Sequence, residues 1–155
     1  MKRVSLLKII NQIVNEAIKL KDKYVKEKDL KVNWVCVFSQ SENEYKKLIK
    51  EASEIGELIE KTSSGLIYKF KSPPKTEAGD PKIFKIREYD ETKTERGDAD
   101  FITNYLEFKK AYLDNNRFIL IPREKFEMIE LKDNIFDVRV YFSSIPPSVL
   151  RDIPA

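Results

Sequence analysis

"ADFITNYLEFKKAYLDNNRFILI", residues 99–121, decides how the chain is read, because an apolar pair, a helical stripe and a β-rich run follow one another in it. Tyr105, Phe108 and Tyr112 fall at steps of three and four, one face of a helix over about 104–114. Phe101 and Ile102 ahead of it form a short strand or the entry into that helix, and "RFILI" behind it is a strand. "FEMIEL" and "FDVRVYF" supply two more strands, and the "KDN" between them has the spacing of a tight hairpin. In the last strand Phe136, Val138, Val140 and Phe142 alternate with Asp137, Arg139 and Tyr141, so one face is core and the other polar.

A similar succession stands upstream. Val32 to Phe38 is apolar but for one Asn, as a strand buried on both faces requires. Ser41 and Glu44 make a capping box, and Tyr45, Leu48, Ala52, Ile55 and Ile59 make the buried stripe of the helix it starts. Gly56 within that helix costs about 1 kcal/mol relative to Ala and marks close packing on a neighbour. "LIYKF" and "KIFKIRE" read as strands, separated by "KSPPKTEAGDP", whose three prolines cannot donate to a ladder. Ahead of everything, Leu6, Ile10, Ile13, Ala17, Leu20 and Tyr24 stripe a long helix that needs a surface to cover.

The expected fold is therefore α+β in a single domain over residues 1–155: an N-terminal helix (1–30), a βαββ module (31–90), a βαβββ module (98–142) and a proline-stiffened tail (143–155) that docks or hangs loose. The strands make a curved mixed or antiparallel sheet of about six to eight members, covered by helices.

Composition narrows the chemistry. The chain has no histidine, which removes the Ser, His, Asp triad, the Cys and His pair, the H-E-x-x-H zinc site and a histidine base tuned to neutral pH. Its four glycines, at 56, 65, 79 and 97, stand too far apart for a phosphate-cradling loop. Cys36, the single cysteine, sits in the apolar run "NWVCVF" and reads as a buried reduced thiol, which points to the cytoplasm. The opening "MKRVSLLKIINQIVNEAIKL" is basic like a leader, but Lys8, Asn11, Gln12 and Glu16 break its apolar block, so neither a signal peptide nor a membrane span is expected. The net charge of +3 hides an asymmetry, since residues 1–32 hold nine Lys or Arg against four Asp or Glu. That basic helix offers contact with nucleic acid, a reading ranked low because no recognition motif accompanies it. Its wide apolar stripe fits the domain's own sheet or a second subunit in a homodimer.

Two constellations carry candidate ligand chemistry. "ETKTERGDADF", residues 91–101, reads as a charged loop in which Gly97 permits positive φ and Arg96, Asp98 and Asp100 are aimed from one rim. Two carboxylates on one side can bind a cation or share a proton; the plainer expectation is a hydrated turn, with Asp98 turned to backbone amides and Asp100 nearer solvent. The second set is Asp137, Arg139 and Tyr141 on the last strand, sharing a face, with Glu127 or Glu130 across the hairpin. If that face lines a cup, Arg139 anchors an anion, Tyr141 stacks or donates, and a glutamate acts as base.

Two βαβββ-like halves resemble the vicinal-oxygen-chelate superfamily of glyoxalases and bleomycin-resistance proteins over about residues 33–142, with 99–121 similar to the strand, helix and strand of one module. The superfamily's metal ligands, usually His and Glu, cannot be carried over to a chain without histidine, so no metal and no cofactor is expected. "ERGDADF", "FEMIEL" and "VRVYFS" are also similar to a family of small uncharacterised prokaryotic proteins. The functional expectation is a binding or accessory domain for a small anionic ligand or a protein, the alternatives being a metal-independent lyase or isomerase using carboxylates, and polyanion contact through the first helix.

Overall fold

The computed structural model describes residues 2–155, with side chains from residue 6 onward. Its elements run α1 (Lys2–Tyr24), β1 (Val32–Phe38), α2 (Glu42–Ile55), β2 (Gly56–Thr62), β3 (Gly65–Phe70), β4 (Ile83–Arg87), β5 (Gly97–Phe101), α3 (Tyr105–Tyr112), β6 (Phe118–Pro122), β7 (Glu127–Leu131) and β8 (Val138–Ser143), then a 3-10 turn at Val149–Arg151. The fold is α+β. All eight strands join one mixed sheet in the order β2-β3-β4-β1-β5-β8-β7-β6.

That order is a palindrome of modules. In each half the first strand pairs in parallel with the last, β1 with β4 and β5 with β8, while the remaining neighbours are antiparallel hairpins. The halves meet where β1 and β5 pair antiparallel, with Cys36 opposite Asp98 and Trp34 opposite Asp100. The resulting pseudo-two-fold puts the polar residues of both central strands beside each other.

The first half thus has one strand more than the βαββ expected of residues 31–90, because the second helix stops at Ile55. Gly56 is extended (φ −143, ψ 165) and its N–H caps the carbonyl of Ala52. The apolar spacing of Ile55 and Ile59 imitates another helical turn, yet residues 56–62 form the edge strand β2, where Leu58 is 43% and Ile59 36% exposed. Glu57, Glu60 and Lys61 on the same strand discourage edge pairing. The expected tight hairpin at "KDN" is instead a wider loop between Leu131 and Val138, organised by Asp133, which accepts from the N–H of Ile135 and of Phe136.

All three helices lie on one face. Leu6, Ile10, Ile13, Ala17 and Leu20 of α1 are buried, as their spacing requires, and α1 crosses β1, β5 and β8 and rests on α2. Each of these Leu and Ile side chains contributes about 1.5–3 kcal/mol. Glu51 of α2 accepts the N–H of Leu6 at 3.1 Å, tying the two helices together. Phe108 of α3 packs on Phe142 and Phe118. The basic charge of α1 is partly spent internally: Lys21 is buried with its Nζ on the carbonyls of Glu27 and Lys28 and on Asp22, and Lys23 pairs with Asp133.

Gly97 is not in a turn. It opens β5, a strand buried along its whole length, and its φ is not positive. What it provides is space under α1: a Cβ there would lie 2.1 Å from the carbonyl oxygen of Cys36 and 2.7 Å from Cδ1 of Ile13. Gly97→Ala is therefore expected to cost at least about 2 kcal/mol in denaturant unfolding, a value characteristic of overpacking. A change below about 0.5 kcal/mol would contradict this packing.

Candidate ligand cavity on the open face of the sheet

Alternation along the central strands sends Val35, Val37, Ala99, Phe84, Ile86 and Val140 to the helices, and Cys36, Asp98, Asp100, Lys85, Arg87 and Tyr141 to the other face. None of the three α-helices covers that face. The tail does so in part. Ser148 donates its N–H to Oδ1 of Asn33 at 2.9 Å and accepts from Nδ2 of Asn33 at 2.8 Å, both side chains being fully buried. Arg151 then lies over the Trp34 ring and pairs with Glu60 of β2 at 2.9 Å. One side chain reaching both β1 and β2, with β3 and β4 between them, requires a sheet that curves toward the tail. Between tail, β6–β7 hairpin and sheet lies a cavity of about 280 Å³.

Its floor is the strand expected to be a loop. Asp98 is 8% exposed and Asp100 3%, so neither is a hydrated turn residue. Asp98 accepts the indole N–H of Trp34 at 3.0 Å through Oδ1, and not backbone amides; its Oδ2 has no hydrogen-bond partner among the described residues. Asp100 is held by Ser143, whose hydroxyl donates at 2.5 Å and whose N–H donates at 3.4 Å. Burial raises the Asp98 carboxyl to about 7 against the opposing pull of the Trp34 bond and of Lys85. Burial likewise holds Asp100 well above the usual range, and Asp98 beside it adds to the rise. Cys36, between Lys85 and Asp98, has its thiol pushed up by burial, which makes it a wall residue and not a nucleophile.

The walls are cationic. Lys85 and Arg87 come from β4, Arg123 from the β6–β7 turn and Arg151 from the tail. Burial lowers Lys85, which donates to Ser64 Oγ at 2.6 Å. Arg87 packs over Phe38 and its buried Nε has no partner. Arg123 has no side-chain hydrogen bond or ion pair among the described residues.

The other expected site residues fall elsewhere. Arg96 immediately precedes β5 and is bonded to Glu44 of α2 and to the carbonyl of Phe38, lining a cleft with Gln12 and Glu16 of α1, so it does not share a rim with Asp98 and Asp100. Glu127 faces the helices, tied to Lys109 and Tyr105 at 2.7 Å each. Asp137 precedes β8 and accepts the N–H of Arg96 through its carbonyl. Arg139, Tyr141 and Glu130 do share a face: Tyr141 donates to Glu130 at 2.7 Å, and Arg139 stands 3.6 Å from the same carboxylate. Arg139, however, grips Glu95 through two nitrogens at 2.8 and 3.2 Å, so its charge is already answered. Reading "KIFKIRE" for alternation would have put Lys85 and Arg87 together; Trp34, Arg123 and Arg151 gave no comparable signal.

Among the described residues no group of three or more His, Cys, Asp or Glu side chains is placed to hold a metal ion, and no helix is long and apolar enough to cross a membrane. No protein-family model matches the chain, and no curated protein matches it. A solved structure described as structural genomics, Protein EC4020, is similar in fold, with a TM-score of 0.71 at 8% identity over 94% of this chain and 89% of that one. At that identity the likeness concerns the fold alone.

Folded Asp98 keeps its proton up to about pH 7, whereas in the unfolded chain the carboxyl loses it near the ordinary value of about 4. Its contribution to stability is thus fully present below about pH 4 and is lost as the pH rises through about 7, by up to about 4 kcal/mol. Asp98→Asn keeps an acceptor for Trp34 without the titration. Unfolding measured from pH 4 to 8 is expected to show a shallower decline in the variant and a more stable variant at pH 8. Parallel curves would contradict a buried, protonated Asp98.

Proposed function

We propose that the protein is a cytoplasmic binding domain for a small anionic molecule, which sits between the curved sheet and the tail. The observation that carries this reading is the convergence of Lys85, Arg87, Arg123 and Arg151 on one cavity, where no carboxylate of the described residues pairs with Arg87. A guanidinium donor without an acceptor is costly to bury, and a carboxylate or phosphate from a ligand offsets that cost. Arg123 stands at the same cavity with its charge unanswered. Arg139, the anchor expected from sequence, is not needed, since Glu95 occupies it.

A second reading, a metal-independent lyase or isomerase, is favoured by Asp98. A carboxyl with one open oxygen at a partly enclosed cavity and a proton affinity near neutrality is suited to general acid or base work.

Thermal-shift measurements at pH 7 with acetate, succinate, citrate, phosphate and sugar phosphates test the binding reading. At least one anion is expected to raise the melting temperature in a concentration-dependent way, and Arg87→Ala and Arg123→Ala are each expected to reduce that rise. No rise with any anion, or a rise untouched in both variants, would sink it. Slow conversion of the bound compound, abolished in Asp98→Asn while binding persists, would decide for the enzyme.

A further inference from the structure

An anion answers the walls of the cavity and leaves its floor unexplained. Asp98 is more than nine-tenths buried, lines the cavity, and presents an Oδ2 with no donor from the protein. Asp100, two residues along, differs because Ser143 occupies both its oxygens. No cation of the chain reaches Asp98 as an ion pair among the described residues. Lys85 is turned to Ser64, and Arg139 is held by Glu95. In its ionised form, which its carboxyl reaches at about pH 7, Asp98 offers only acceptors, and a ligand that were only an anion would bring it one more.

We infer that the ligand carries an amino group as well as an anionic group, with its ammonium on Asp98 and its carboxylate among Arg87 and Arg123: an amino acid or a short amino-substituted acid. The inference rests on the anion-binding reading and adds the second half of the molecule. At about 280 Å³ the cavity lies at the small end of ligand sites, a size for an amino acid and not for a nucleotide. The proton affinity of Asp98 agrees with it, since burial is its leading cause and outweighs the opposing Trp34 bond and the charges of Lys85, Arg139 and Arg87. None of those cations bonds to Asp98, so an ammonium on Oδ2 adds a contact they do not make. Trp34, bonded to the other oxygen, fixes the rotamer in which Oδ2 remains open.

Calorimetric titration at pH 7 tests this with matched pairs: L-glutamate against glutarate, L-aspartate against succinate, β-alanine against propionate, and γ-aminobutyrate against butyrate. The best amine-bearing probe is expected to bind at least about tenfold tighter than its partner, the effect of one added charge-assisted hydrogen bond. In Asp98→Asn that preference is expected to fall to about twofold or less, with the acid lacking the amine still bound. Equal affinity within every wild-type pair would overturn the inference and leave the anion reading standing. So would a preference that survives in Asp98→Asn. Should that variant not fold, the wild-type pairs decide alone. If no acid binds in either form, the anion reading fails first and the inference with it.

Discussion

Two carboxyl groups buried on the central strand of a sheet are the constraint on which this structure depends. Asp98 and Asp100 alternate with Gly97, Ala99 and Phe101, so the packing of α1 against one face of β5 forces both carboxyls onto the other. Burying them costs several kcal/mol unless they are neutral or hydrogen-bonded, and the fold does both. Trp34 and Ser143 supply donors, and burial keeps the protons on. The core under α1 offsets the remaining cost, which is why β5 tolerates a sequence with so little strand propensity.

The pseudo-two-fold explains where the chemistry sits, and its breakdown explains what the site is like. Cys36 and Asp98 face each other at the module junction, each with a cation on the next strand, Lys85 and Arg139 respectively. In the second half Glu95 and Glu130 close around Arg139. In the first half no carboxylate pairs with Lys85 or Arg87 among the described residues, and the tail adds Arg151 over Trp34. The same module therefore makes a self-satisfied ion cluster on one side and an open cationic wall on the other.

The parts legible in the sequence are those where local pattern and tertiary demand agree. The stripe of α1 and the alternation of β8 reappear in the structure because burial of one face decides each, and Ser41 caps α2 through the N–H of Glu44, although the Glu44 carboxylate reaches back to the N–H of Gln40 and not of Ser41. The failures have opposite physical causes. Residues 56–62 keep a helical apolar period while Gly56 breaks the helix, so period prevailed over breaker in the reading. "GDADF" has the composition of a turn, and only its place between β1 and β8 makes it a strand. The candidate site was half visible: Asp98 and Asp100 were singled out as a pair on one side, whereas the cations that face them come from β4, a hairpin turn and the tail, brought together only by the curvature of the sheet.

Trp34 is the only tryptophan of the chain, and its indole N–H is bonded to Asp98, which makes its fluorescence a direct reporter of that carboxyl. Emission followed from pH 4 to 9 in the native protein measures the central claim, that Asp98 is a desolvated acid at the floor of a cavity. A transition centred near pH 7, absent in Asp98→Asn, is the expected result. A transition near pH 4, or emission that does not change across the range, would show a hydrated or unlinked carboxyl and contradict the account.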